Sequence, residues 1–386
     1  MMNKRIIISV FLSILFLVVN FQEVDAAVDG EGDQYFVTFK TEVNEGIITD
    51  HNGEIIKEYT ISPSLLVELP KGSVEVIEEA DEVVSVEPNV EVEISGYEDI
   101  DWGSIDIDPQ EQTVPWRIDY IGKAAAHQKG WFGKGIRVGI IDSGIRPHKD
   151  LKVSGGINIL DNSENYFDGY GHGTWYAGII GALDNSYGLL GVASDADLYS
   201  IKVKKNDGKG LISDVVTGIE WAIENKMNIV NFSLQTNVET DILRKAIKKA
   251  NENDILLVAS SGNMGGTKKD DTVTYPAAYD EVISVAAINK NGERYVHSST
   301  GKRIDISAPG ELVYTTVQSG LYFTLNGTSM SAPHDSGVAA LVLQNNPKLN
   351  IEEIRKILVK STKPLGNPHL YGKGLIDVQK AIKFSN

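Results

Sequence analysis

Four residues far apart in the chain carry side chains that together perform one chemistry. Ser329 lies in Asn326-Gly327-Thr328-Ser329-Met330-Ser331-Ala332-Pro333-His334, where a conformationally permissive glycine precedes the apolar run Val338 to Leu343. The pattern predicts a loop feeding a helix, with Pro333 in its first turn and the Ser329 hydroxyl exposed beside unpaired backbone N–H groups. Asp142 closes the strand-like run Val138-Gly139-Ile140-Ile141 ahead of Ser143-Gly144, where a partly buried carboxylate needs a partner. His172, in Gly171-His172-Gly173-Thr174, opens a second helical pattern through Ala177 and Ile180. Asn263 follows the strand-like end Ala259-Ser260-Ser261-Gly262.

A serine hydroxyl is a weak nucleophile until a base takes its proton, and imidazole, with an ordinary pKa of about 6.5, does so near neutral pH. The imidazole needs a carboxylate to fix its tautomer and to stabilise the imidazolium that forms. An amide donor aimed at the developing oxyanion completes the set. The roles follow: Ser329 attacks, His172 carries the proton, Asp142 orients His172, and Asn263 with the backbone N–H of Ser329 holds the oxyanion. Singly, each residue also has a plainer use, as a helix cap or a turn residue. Together, in the order Asp, His, Asn, Ser and each beside glycine, they point to acyl transfer.

The elements that must hold these residues are legible from Gln112 to Asn386. Arg137 to Ile141, Leu198 to Val203, Ile229 to Leu234, Ile255 to Ser260 and Val282 to Ala286 are short aliphatic runs. Helix-period segments, Leu211 to Asn225 and Thr240 to Asn253, lie between them. Strands apolar on both faces and separated by helices predict an α/β fold, a mostly parallel sheet in three layers with helices on both faces. In such sheets function gathers at the carboxyl ends of the strands, where Asp142 and Asn263 stand.

The N-terminal part is different. Residues 1–26 read as a signal peptide: Lys4 and Arg5, an apolar run from Ile6 to Val19 too short to span a bilayer, and Val24-Asp25-Ala26 as a small-residue cleavage site. Residues 27–97 contain strands at Tyr35 to Phe39, Leu65 to Leu69 and Val83 to Val86 and a short helix at Ser73 to Ala80, a small α+β domain. Residues 98–111 carry Glu98, Asp99, Asp101, Asp106, Asp108 and Glu111 with few apolar residues, an exposed acidic linker that a protease can cut. The formal charge of −17 disfavours a nucleic-acid or anionic-membrane partner. With no cysteine, neither a disulfide nor a lipid anchor on cysteine is available, so core packing or metal must hold a secreted chain together. No P-loop and no strand-borne G-x-G-x-x-G supports a nucleotide-binding alternative.

Asp142-Ser143-Gly144, His172-Gly173-Thr174 and Gly327-Thr328-Ser329-Met330-Ser331-Ala332-Pro333-His334 closely resemble the three signature motifs of the subtilisin-like serine proteases, and the resemblance runs from about Gln112 to the C-terminus. It implies a secreted serine endopeptidase, acting as a monomer on peptides or proteins, with a subtilisin-like fold at 112–386 and an inhibitory propeptide that the protease itself removes. Val86-Glu87-Pro88-Asn89-Val90-Glu91-Val92 resembles the end of such a propeptide. The resemblance further implies a structural calcium ion held by Gln112, Asp150, Leu183, Asn185, Tyr187 and Leu189, oxygen donors from separate segments that suit a hard cation. Lys209-Gly210-Leu211 and Ser233-Leu234-Gln235 match the segments that flank an extended substrate, and Gly262 and Thr274 match the pocket for the residue before the cut. With no acidic residue at those pocket positions, an apolar or medium-sized residue is expected there rather than Arg or Lys.

Several positions depart from the family: Trp175 and Tyr176 after the histidine motif, Gln235 and Thr236 where a glycine pair is common, Thr274 for glycine, and a turn after Asp142 that is one residue shorter. They are expected to reshape the cleft without touching the triad, which leaves a dedicated maturation protease as an alternative to broad digestion. A scaffold that only binds peptides is a further alternative, against which all four chemical residues are retained. Between Phe39 and Ile55 the family has a full helix, where Thr41 to Gly46 promises one turn at most.

Overall fold

The computed structural model describes residues 33–94 and 111–386; the signal segment and, apart from Glu111, the acidic linker lie outside the described residues. The N-terminal module runs β1 (Asp33–Phe39), α1 (Glu45–Asp50), β2 (Glu54–Tyr59), β3 (Ser64–Leu69), α2 (Ser73–Glu78), β4 (Val83–Pro88) and β5 (Glu91–Ile94). Its first four strands form an antiparallel sheet in the order β2-β3-β1-β4, with Ile48 of α1 and Ile77 of α2 closing a core on Val37, Phe39, Leu65, Val67 and Leu69. The helical turn expected at Thr41 to Gly46 begins later and runs longer. Asn44 caps α1 by accepting the Gly46 N–H at 3.0 Å, and the helix continues to Asp50. Strand β2 had no counterpart in the sequence reading, because it is an edge strand whose charged Glu54, Lys57 and Glu58 blunt its apolar pattern.

The larger unit runs α3 (Trp116–Tyr120), α4 (Ala124–His127), β6 (Arg137–Asp142), β7 (Val153–Asn158), α5 (His172–Gly181), β8 (Asp197–Lys202), β9 (Gly210–Leu211), α6 (Ile212–Glu224), β10 (Ile229–Phe232), β11 (Leu234–Gln235) and α7 (Asp241–Glu252). It continues with β12 (Leu256–Ser260), β13 (Val282–Ile288), β14 (Ile306–Pro309), the hairpin β15 (Val313–Thr316) and β16 (Tyr322–Leu325), then α8 (Thr328–Asn345), α9 (Ile351–Lys360), α10 (Pro368–Tyr371) and α11 (Val378–Phe384). Seven strands form one sheet in the order β14-β13-β12-β10-β6-β8-β7, every neighbouring pair parallel. Successive strand residues point to opposite faces, and both faces are covered. Ile140 and Val258 pack on the side of α5 and α8, while their neighbours Ile141, Leu257 and Ala259 pack on the side of α6 and α7. This is why the strands read as unbroken apolar runs.

The two units share a core and a set of caps. Phe36, Tyr59 and Leu66 join the cluster built on α6 and α7. Glu87 accepts the Asp241 and Ile242 N–H groups at 2.8 and 3.3 Å at the start of α7, and Asn89 accepts the Ser213 N–H at 3.1 Å at the start of α6. Oxygen acceptors at helix N-termini satisfy orphan donors and meet the positive end of the dipole.

Candidate active site

Asp142 is the last residue of the interior strand β6, His172 the first residue of α5 and Ser329 the second of α8. The fold packs α5 against both β6 and α8, the elements that carry the other two motifs. His172 Nδ1 lies 3.0 Å from each Asp142 oxygen, with both side chains wholly buried. An ionised carboxylate only accepts, so Nδ1 carries the proton and Nε2 is left as the basic nitrogen. Burial alone would raise the Asp142 carboxyl. His172, then Lys204, whose Nζ lies 3.2 Å from Oδ2, and the Ser143 N–H at 2.6 Å from Oδ1 hold it instead well below the usual carboxylate range.

The glycines of these motifs permit backbone to meet backbone. A Cβ on Gly173 would stand 2.0 Å from the Gly144 carbonyl oxygen, and Gly144, at φ +109°, would place its own 2.4 Å from the Tyr166 oxygen. Asp168 fastens the approach to α5 by accepting the Gly171 N–H at 2.6 Å, the Thr174 N–H at 3.0 Å and the Thr174 hydroxyl at 2.6 Å.

At the serine end, Asn263 Oδ1 accepts both the N–H and the hydroxyl of Thr328 at 2.9 Å. A backbone N–H can only donate, so the carbonyl of the Asn263 amide faces Thr328 and its amino group faces away. Pro333 lies beyond the first turn of α8, not in it. Lacking an N–H, it makes no helix bond to the Ser329 carbonyl four residues earlier; the Ser233 hydroxyl donates to that oxygen at 3.4 Å. The Ser329 side chain, expected to be exposed, is enclosed, because the first turn of α8 is packed into the core.

The groove leading to this site holds a strand. β5 lies antiparallel between β9 and β11, with Glu91 opposite Leu211, Val92 opposite Gly210, Glu93 opposite Gln235 and Ile94 opposite Leu234. Four of the six expected groove residues therefore pair along β5. Of the other two, Lys209 reaches only the Glu91 side chain, at 3.1 Å, and Ser233 sits beneath the groove on Asn231 and Ser329. Gly262 and Thr274 do come together, joined by Ser299: a Cβ on Gly262 would meet their hydroxyls at 2.7 and 2.9 Å.

Two departures from the family touch the triad, contrary to expectation. The Tyr176 hydroxyl lies 2.5 Å from His172 Nδ1 and against Nε2, and the Trp175 ring stands edge-on to the imidazole at 5.2 Å between centroids. Residues four apart share a helix face, so Tyr176 could have been placed against His172 from spacing. Lys204 was missed altogether; its one signal was a lysine directly after an apolar strand, where an ammonium requires a partner.

The expected cation donors gather around Asp150. Its buried carboxylate accepts the Leu189 N–H at 2.7 Å and the Tyr322 hydroxyl at 3.3 Å, with Asn185 Nδ2 at 3.5 Å. Gln112 meets the Leu183 carbonyl at 2.7 Å, and Asn185 Oδ1 accepts the Tyr187 N–H at 2.9 Å. No lysine or arginine pairs with Asp150 among the described residues, and burial pushes its carboxyl up to about 7. A buried carboxylate with no cationic partner among the described residues, held by N–H and O–H donors beside the Leu183 carbonyl, could join a calcium site only if the Gln112 and Asn185 amides turned their oxygens toward it. Among the described residues no group of three or more His, Cys, Asp or Glu could hold a metal ion, so such a site relies on neutral oxygens.

The model of the Subtilase family matches residues 133–374. A thermostable alkaline protease of Halalkalibacterium halodurans is 39% identical over 360 residues, covering 93% of this chain and 94% of that protein. Subtilisin DY of Bacillus licheniformis is 43% identical over 273 residues, 70% of this chain and all of that protein. Among solved structures, fervidolysin from Fervidobacterium pennivorans, described as a keratinolytic enzyme related to subtilisin, superposes with a TM-score of 0.77 at 24% identity. That match covers 92% of this chain and 62% of the fervidolysin chain, and at such identity it bears on the fold alone.

Proposed function

The chain belongs to the subtilase family and is a serine endopeptidase, and we propose that it hydrolyses extended peptides with Ser329 as nucleophile, His172 as base and Asp142 as its orienting carboxylate. The observation that carries this reading is the His172 Nδ1 contact with both Asp142 oxygens. Asp142 stays ionised and holds the Nδ1 tautomer, Nε2 takes the Ser329 proton, and the same proton passes to the leaving amine. The amino group of Asn263 and the Ser329 N–H receive the oxyanion, in an enclosed site where each donor acts at low dielectric.

Residues 27–97 act as a propeptide that blocks the groove, since β5 occupies the antiparallel place an extended substrate requires. The acidic segment 98–111 is the cut region and the catalytic domain begins at Gln112. The signal pattern at 1–26 sends the chain out of the cell; among the described residues no helix is long and apolar enough to cross a membrane. Calcium at Gln112, Asp150, Leu183, Asn185, Tyr187 and Leu189 supplies a structural cross-link between the mature N-terminus and the 183–189 loop. The contact of Tyr176 and Trp175 with His172 favours a narrowed cleft and a restricted, maturation-type substrate range. In expression of the parent and Ser329→Ala, the parent is expected to shorten near Glu111 while the variant stays one polypeptide. Equal processing of both sinks the reading. Cut sites on a peptide library separate the roles: one narrow motif favours maturation, scattered cuts favour digestion.

A further inference from the structure

Lys204 follows β8 and is wholly buried, its Nζ 3.2 Å from the Asp142 oxygen that also lies 3.0 Å from His172 Nδ1. A cation and a potential cation thus share one carboxylate oxygen. The backbone holds the arrangement: the Lys204 N–H donates to the Asp142 carbonyl at 3.3 Å, and Lys204 forms a bridge with Gly210 of the groove strand β9. The stem lies under the groove, since a Cβ on Gly210 would stand 3.3 Å from both Lys204 Cγ and the Val92 side chain of β5. A strand in the groove therefore seals the ion pair from water, which strengthens its electrostatics.

We propose that Lys204 is a positioning residue of the catalytic apparatus, whose ammonium draws on the Asp142 charge and keeps His172 unprotonated, hence competent as a base, to lower pH than the aspartate alone allows. The proposal rests on the triad reading above. Asp142 favours the imidazolium; Lys204, by like charge, disfavours it. The other groups around the imidazole do not supply a second cation at the carboxylate. Tyr176 on α5 presents its neutral hydroxyl to the imidazole and Tyr170 on the preceding loop its ring, while Lys202 on β8 acts on Asp142 only through space, its Nζ donating to the Ser143 carbonyl at 2.7 Å. Asp168 is taken by the start of α5, with Arg146 on its carbonyl at 3.1 Å, and β5 offers the apolar Val92. A purely structural counter-ion would affect folding but not the position of the acidic limb of activity.

The test is the pH dependence of kcat/KM on a short chromogenic peptide for the mature parent, Lys204→Met and Lys204→Arg, with active sites counted by a sulfonyl fluoride and folding checked by thermal melting. The acidic limb of Lys204→Met is expected about one pH unit above the parent's, and that of Lys204→Arg to stay with the parent. A Lys204→Met limb that superimposes on the parent's, or an Arg variant shifted as far as the Met variant, overturns the proposal. Where Lys204→Met does not accumulate folded, Lys204→Gln keeps a donor to Oδ2 without the charge: a raised limb supports the proposal and an unmoved one overturns it. A parent that the sulfonyl fluoride does not label overturns the triad reading and this one with it, whereas a labelled parent with unmoved variants overturns this one alone.

Discussion

Asp142 and Asp335 are both enclosed completely within the same domain, yet their surroundings push their carboxyls in opposite directions. Asp142 has His172 and Lys204 beside it and an N–H on Oδ1, and these neighbours outweigh the burial that would raise its carboxyl. Asp335, on α8 beyond Ser329, has no hydrogen-bond partner on either oxygen among the described residues. Burial, followed by the charge of Asp305, pushes its carboxyl well above the ordinary range. Burial is therefore common to both and decides neither alone; what decides is whether the fold places a cation against the oxygen. Asp150 stands between them, enclosed with no lysine or arginine pairing with it among the described residues, yet held by the Leu189 N–H and the Tyr322 hydroxyl at a candidate ion site.

The largest effect should come from one substitution made at the first two sites. Asp142→Asn removes the charge and allows the wrong imidazole tautomer, and kcat/KM should fall about 10⁴-fold, a magnitude carried over from other serine proteases. Asp335→Asn should leave kcat/KM within about twofold of the parent, since Asp335 makes no hydrogen bond to the triad or groove. Steady-state kinetics on active-site-titrated enzyme checks both. A loss below about tenfold at Asp142 would break the comparison.

The third carboxylate gives a smaller effect, on stability. Calcium that binds only the folded protein stabilises it by about 2.7 kcal/mol at a free concentration 100 times its Kd. For a domain of this size that corresponds to a melting shift of about 5–10 °C. Melting with added calcium and with a chelator should differ by that much in the parent and hardly at all in Asp150→Asn. A parent indifferent to chelation would leave Asp150 a second Asp335, an uncompensated carboxyl and not half of an ion site.

These contrasts mark what a sequence carries. The sheet was legible because its central strands bury both faces, and the chemical residues were legible because each motif packs its needs into a few neighbours, such as Gly144 and Gly173 meeting at their backbones. The outer strands β7 and β14 escaped notice: one is diluted by Gly155 and Gly156, the other is a four-residue run ending in proline. Lys204 and Tyr176 were missed as parts of the site for a different reason. Their meaning lies in what they touch across the fold, and spacing along the chain states only that a buried charge must find a partner, not which. Asp335 shows the limit of that rule, since the partner it calls for is not supplied.

The smallest effect is the most discriminating. A carboxyl whose folded value is raised stabilises the fold fully only below its unfolded value of about 4, and that contribution is lost as pH rises through the folded value. Asparagine at position 335 has the same shape and no proton to lose. The melting temperature of Asp335→Asn should match the parent near pH 4 and exceed it as pH rises, by about 3–5 °C for each pH unit between the unfolded and folded values, in melts of the mature enzyme at constant calcium. Asp142→Asn should show the reverse: its carboxyl is lowered, so its contribution is present above about pH 4, and the variant should melt below the parent across that whole range. If Asp335→Asn instead melted lower at high pH, Asp335 would be an ionised and compensated carboxylate, and the two aspartates would be alike after all.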